Sequence, residues 1–100
     1  MIFKAKDKEF RIWADGTEVW WHNRRVHRLN GPAVINSDGR EWWQNGETHR
    51  LDGPAIINSD GSGEWYQNNK RHRLDGPAVE YCDGTKEFWI HGKRTSVAGT

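Results

Sequence analysis

A single cysteine, Cys82, leaves the chain no internal disulfide to close, so the fold has to rest on packing and hydrogen bonds. One thiol suits a reducing compartment, and the expectation is a cytoplasmic protein. Apolar residues are scarce, at 34% of 100 residues with a mean hydropathy of −1.02. No apolar run approaches the roughly 20 residues of a membrane-spanning helix or the apolar core of a signal peptide. Net charge is almost absent, +1 at pH 7. No whole-molecule field therefore draws the chain to nucleic acid or membrane, and any electrostatic footprint is local.

What the chain does have is tryptophan, seven in all, and repetition. "HRLNGPA" at His27–Ala33 is followed by "HRLDGPA" at His49–Ala55 and again at His72–Ala78. The period is 22 residues and then 23, with the extra residue at Ser62-Gly63. The units are residues 27–48, 49–71 and 72–94, preceded by a half unit at 14–26 that lacks the "GPA" portion and followed by a tail at 95–100. Together they form a single repeat domain over residues 1–100, since each unit is too small to bury a core alone.

Each unit reads as a β-hairpin. "PAVIN", "PAIIN" and "PAVEY" are short and rich in β-branched or aromatic residues, and they open on proline, which a strand start tolerates. "SDG", "SDGSG" and "CDGT" are turn sequences in which Asp-Gly supplies positive φ. "EVWWHN", "EWWQN", "EWYQN" and "EFWIH" are the return strands, and "NRRVHRLNG", "NGETHRLDG" and "NNKRHRLDG" are longer connections to the next hairpin. No helical apolar period is present, so the fold class is all-β, a single-layer antiparallel sheet of successive hairpins.

Adjacent aromatics in the return strand must point to opposite faces. Trp20, Trp42, Trp65 and Phe88 make one ladder; Trp21, Trp43, Tyr66 and Trp89 make the other. One ladder is expected to be core and the other to cover an exposed face or a dimer contact, or to form an open stacking surface; a thin sheet has difficulty burying both alone, so a homo-oligomer is expected. Hairpin geometry also gathers the "DG" turns and their acids at one end and the "HR" connections at the other, giving an acidic rim and a basic rim.

Catalysis and metal binding are not expected. Equivalent residues of stacked hairpins lie roughly 9–10 Å apart, two strand spacings, whereas zinc requires ligand atoms about 2.0–2.1 Å away. A catalytic cluster likewise needs different groups within hydrogen-bond reach. In the heptapeptide, "DGPA" is turn chemistry: Asp or Asn bonds nearby backbone, glycine permits the bend, proline starts the strand and alanine fits a close approach. Leucine is a candidate buried anchor. The His–Arg pair is open to two readings. Arginine clamps the acid of its own or the next unit, or His27, Arg28, His49, Arg50, His72 and Arg73 form a row of donors for an anion. In the second reading Trp21, Trp43, Tyr66 and Trp89 flank the row as stacking rings.

The hairpin period, the "W…NG" return strand and the "DG" turn resemble MORN-type repeats over residues 14–94, in particular the "HR-DGPA" variety of phage and large-virus proteins. That resemblance implies an elongated, twisted antiparallel sheet and a binding or scaffold role without a cofactor. "GPA" stands where the usual pattern has Gly-x-Gly, which sets aside the lipid binding proposed for some members. A phage-like protein of this kind implies activity in the host cytoplasm against a defence system. The expected function is capture of an anionic, nucleotide-like ligand or nucleic-acid segment at the basic rim. The alternative is a protein–protein module, an inhibitor of a host protein or a self-assembling scaffold, using the Trp-rich face.

Overall fold

A computed structural model describes the backbone of residues 2–5 and 8–98 and the side chains of residues 9–95. Residues 99–100 of the expected tail lie outside the described residues, as do residues 1, 6 and 7 of the domain. Among the described residues there is no helix, and every strand pairing is antiparallel. The strands are β1 (Ile2–Ala5), β2 (Lys8–Ile12), β3 (Glu18–His22), β4 (Arg25–Val26), β5 (Val34–Asn36), β6 (Gly39–Glu41), β7 (Trp43–Gln44), β8 (Glu47–Thr48), β9 (Ile56–Asn58), β10 (Gly63–Glu64), β11 (Tyr66–Gln67), β12 (Lys70–Arg71), β13 (Val79–Glu80), β14 (Lys86–Ile90) and β15 (Lys93–Ala98). One open sheet runs β1-β2-β3-β5-β6-β9-β10-β13-β14-β15, with β4 beside β3; β7–β8 and β11–β12 are separate pairs. The molecule measures 46 × 25 × 17 Å. Ten strands side by side at about 4.8 Å account for the long dimension.

The same backbone bonds recur in every unit. The N–H groups of Trp20, Trp42 and Trp65 donate to the carbonyls of Ala33, Ala55 and Ala78 at 2.9, 2.7 and 2.6 Å. Those alanines donate in turn to Glu41, Glu64 and Glu87 at 2.8, 2.8 and 2.9 Å. Each return strand is thereby bonded to the first strand of the next unit, and the alanine sits at the joint with no exposed surface. Among the described residues the buried apolar core is correspondingly small: Val19, Val79 and the three alanines. Close approach also fixes Gly39, whose φ is +139° and whose missing Cβ would collide with the Ile57 carbonyl.

The connections expected after each return strand are themselves hairpins. β3–β4, β7–β8, β11–β12 and β14–β15 each close over two residues of positive φ: Asn23 and Arg24, Asn45 and Gly46, Asn68 and Asn69, His91 and Gly92. Positive φ at both central positions is the type I′ turn, whose twist matches that of the flanking strands. The half unit at 14–26 supplies β3–β4, and β2 occupies the place of its missing first strand, packing Phe10 against Trp20 with ring centroids 4.2 Å apart.

Candidate functional site

Each heptapeptide forms a loop that folds onto the first aromatic ladder. His27, His49 and His72 donate their backbone N–H to the carbonyls of Trp20, Trp42 and Trp65 at 3.0, 3.0 and 3.1 Å. Arg28, Arg50 and Arg73 donate theirs to the carbonyls of Trp43, Tyr66 and Trp89, each at 3.1 Å. The two adjacent residues thus tie one hairpin to the next.

Their side chains repeat the connection. The Nδ1 atoms of His27, His49 and His72 accept the backbone N–H of Asn45, Asn68 and His91 at 2.9, 3.1 and 2.9 Å. Each imidazole therefore holds the type I′ turn of the following hairpin. An accepting Nδ1 puts the proton of the neutral ring on Nε2. His72 is 4% exposed and its ring stacks on His91 with centroids 4.2 Å apart. Burial, assisted by the neighbouring His91, holds the His72 pKa below its ordinary 6.5.

The guanidiniums of Arg28, Arg50 and Arg73 lie 3.8, 3.9 and 4.0 Å from the ring centroids of Trp20, Trp42 and Trp65. Nε bonds Asn30 at 3.2 Å, Asp52 at 3.0 Å and Asp75 at 3.1 Å. Nη1 bonds the carbonyls of Pro32, Pro54 and Pro77, each at 3.1 Å. Loop glycines make room for this arrangement. A Cβ on Gly31, Gly53 or Gly76 would stand 3.1, 2.7 or 2.8 Å from the guanidinium carbon. Arginine, acid or amide, glycine and proline are one interlocked unit, and the clamp lies within each unit's own loop.

Two expectations are corrected here. Leu29, Leu51 and Leu74 are not buried anchors but are 75, 68 and 80% exposed. The space beneath each loop is filled by the guanidinium on its indole, and the leucine next in sequence is turned outward. The arginines, moreover, cap Trp20, Trp42 and Trp65 rather than joining Trp21, Trp43, Tyr66 and Trp89. Alternation along the strand places that second ladder on the opposite face. There Trp43 and Trp89 donate Nε1–H to Glu41 and Glu87 at 2.8 and 2.9 Å, and the Tyr66 hydroxyl bonds Glu64 at 3.2 Å. Arg71 reaches the same Glu64 at 3.0 Å. The second ladder is half-buried throughout.

The exposed leucines were missed because a leucine flanked by turn residues carries no period; its direction depends on what fills the loop. Clefts lie along the loops, two of them at the Arg28 and Arg50 loops. The first, about 420 Å³, is bounded by Trp20, Trp21, His22, His27, Arg28 and Asn30. The second, about 440 Å³, lies between the Leu29 and Leu51 loops over Trp42 and Gln44. Among the described residues no group of three or more His, Cys, Asp or Glu is placed to hold a metal, and no helix is long and apolar enough to cross a membrane.

Fold and loops define a class, an open all-β protein of stacked hairpins braced by repeated His–Arg loops. The chain matches no family model, no curated protein and no solved structure.

Proposed function

We propose that the protein is a non-enzymatic binding module that holds a protein partner along the row Leu29, Leu51 and Leu74. The observation that carries this reading is the exposure of three large apolar side chains at equivalent positions, beside alanines with no exposed surface at all. Exposed apolar surface in a regular array, rimmed by polar groups, marks an interaction face. Adjacent leucines are two strand spacings apart, roughly 9–10 Å, with the second cleft between the first two. The carboxylates of Asp52 and Asp75 flank the row with side chains 87 and 85% exposed.

A fitting partner presents apolar side chains at the same interval with Lys or Arg beside them. A second copy fits less well. Antiparallel pairing of two rows about Leu51 brings Asp52 against its own symmetry mate, and like charges across an interface are unfavourable. The resemblance to phage-type MORN repeats supports a partner of host origin, with a protein of a defence system as the class it implies.

The test compares immobilised wild type with Leu29→Ser/Leu51→Ser/Leu74→Ser, followed by hydrogen exchange on the purified complex. The reading expects an unchanged melting temperature, loss of the bound protein, and protection confined to loops 28–31, 50–53 and 73–76. Unchanged capture, or protection elsewhere, overturns it. A wild-type dimer in sedimentation that the same substitutions dissolve reassigns the row to a second copy.

A further inference from the structure

The cleft where the half unit meets the first full unit departs from its later counterparts at two lining positions. His22 of the half unit stands where the following return strands carry Gln44, Gln67 and Ile90; Asn30 of the first unit stands where the next two units carry Asp52 and Asp75. The first change adds an imidazole and the second removes a negative charge. Arg50 and Arg73 each face a carboxylate through Nε at 3.0 and 3.1 Å. Arg28 makes the same bond to a neutral amide oxygen. It alone of the three loop arginines has no carboxylate partner among the described residues.

Two imidazoles stand beside it, with the His22 and His27 ring centroids 5.4 Å apart. His27 accepts the Asn45 amide at Nδ1, so its neutral ring carries the proton on Nε2. His22 Nδ1 is buried and makes no hydrogen bond among the described residues, an arrangement native proteins rarely keep without a use. The upstream neighbour of this cleft is a β-hairpin rather than another "HRL" loop, so its only loop wall comes from its own unit. Trp20, beneath the Arg28 guanidinium, and Leu29 supply its apolar surface. Its volume, about 420 Å³, lies within the roughly 300–1,000 Å³ range of small-molecule sites.

We infer that this cleft binds a small planar anion, an aromatic ring carrying one carboxylate or phosphate, with Arg28 and His22 facing the anionic group. The ring lies against Trp20 and Leu29. The later clefts are poorer sites for such an anion because Asp52 and Asp75 already occupy the guanidinium and would repel a second negative charge.

The repeat supplies its own control substitutions. Asn30→Asp installs the residue that the second and third units already hold, and His22→Gln the residue that the first and second units hold at Gln44 and Gln67, so the fold tolerates them. Wild type and both variants are titrated with benzoate, AMP, adenosine and inorganic phosphate, following tryptophan fluorescence and the amide shifts of Trp20, His27 and Arg28. The inference expects benzoate or AMP to bind with shifts confined to these residues, and which of the two binds separates a carboxylate from a phosphate source. Asn30→Asp is expected to weaken that binding by about tenfold or more, the loss of a charge-assisted contact. Adenosine or phosphate alone binds more weakly than AMP if AMP is the ligand. Absence of binding by both aromatic anions, equal affinity in Asn30→Asp, or adenosine matching AMP overturns it.

Discussion

Arg50 and Trp42 are stacked, with the guanidinium carbon 3.9 Å from the indole centroid, while Nε and Nη1 of the same guanidinium bond Asp52 and the Pro54 carbonyl. One side chain thus spans a ring, a carboxylate and a backbone carbonyl within seven residues of chain on one side and a neighbouring strand on the other. Arg50→Ala is expected to lower stability by about 2 kcal/mol, through the lost cation–π contact and the unpaired Pro54 carbonyl. Arg50→Lys keeps the charge and loses the fork, so it recovers only part. Urea denaturation of the three proteins measures both.

Gly53 and Gly31 test the fit of the same loop. A Cβ would stand 2.7 Å from the guanidinium carbon at Gly53 and 3.1 Å at Gly31. Gly53→Ala is expected to cost about 1–3 kcal/mol, the usual range for overpacking, and Gly31→Ala less. Thermal melts that rank the two variants the other way would show that the guanidinium moves aside freely.

His49 carries the link to the next turn, since its Nδ1 accepts the Asn68 amide at 3.1 Å. His49→Ala is expected to lose about 1 kcal/mol, the net worth of a partly exposed hydrogen bond. The residue-specific signature is faster hydrogen exchange at the Asn68 amide, with the Asn45 and His91 amides unchanged.

His72 sets the direction of the pH response. Burial, followed by the nearby His91, holds its folded pKa below the ordinary 6.5, so the unfolded chain takes up the proton first as pH falls. The stability associated with a neutral His72 is complete above pH 6.5 and is lost as pH drops from there through the lower folded pKa. Protonation at Nδ1 would also set an N–H against the His91 amide it now accepts. Denaturation midpoints should fall on acidification below that point, and His72→Gln should flatten the decline. A midpoint that rises on acidification in the wild type would contradict the assignment.

The hairpins were legible because their signals are local. Asp-Gly turns, β-branched runs and a 22–23-residue period each follow from backbone preference, and the closeness implied by Ala33, Ala55 and Ala78 follows from side-chain size. The type I′ turns were equally available in Asn45-Gly46 but were hidden by the short, charged strands that follow. The direction of Leu51 was not legible, because it depends on Arg50 filling the space beneath the loop, a contact with Trp42 across the joint. The face of each aromatic ladder was legible from alternation; which ladder the arginines cover was not, since the loop's path over the sheet is set by tertiary hydrogen bonds such as Arg50 N–H to the Tyr66 carbonyl.

The division of labour between neighbouring residues in each loop is the point on which function and stability part. Equilibrium urea unfolding of Arg50→Ala/Arg73→Ala beside Leu51→Ser/Leu74→Ser tests it most directly. The arginine pair is expected to lose about 3–4 kcal/mol, two part-buried clamps removed, and the leucine pair less than about 1 kcal/mol, as exposed side chains do. A leucine variant that unfolds as readily as the arginine variant would mean that the leucines hold the fold together and are not its binding face.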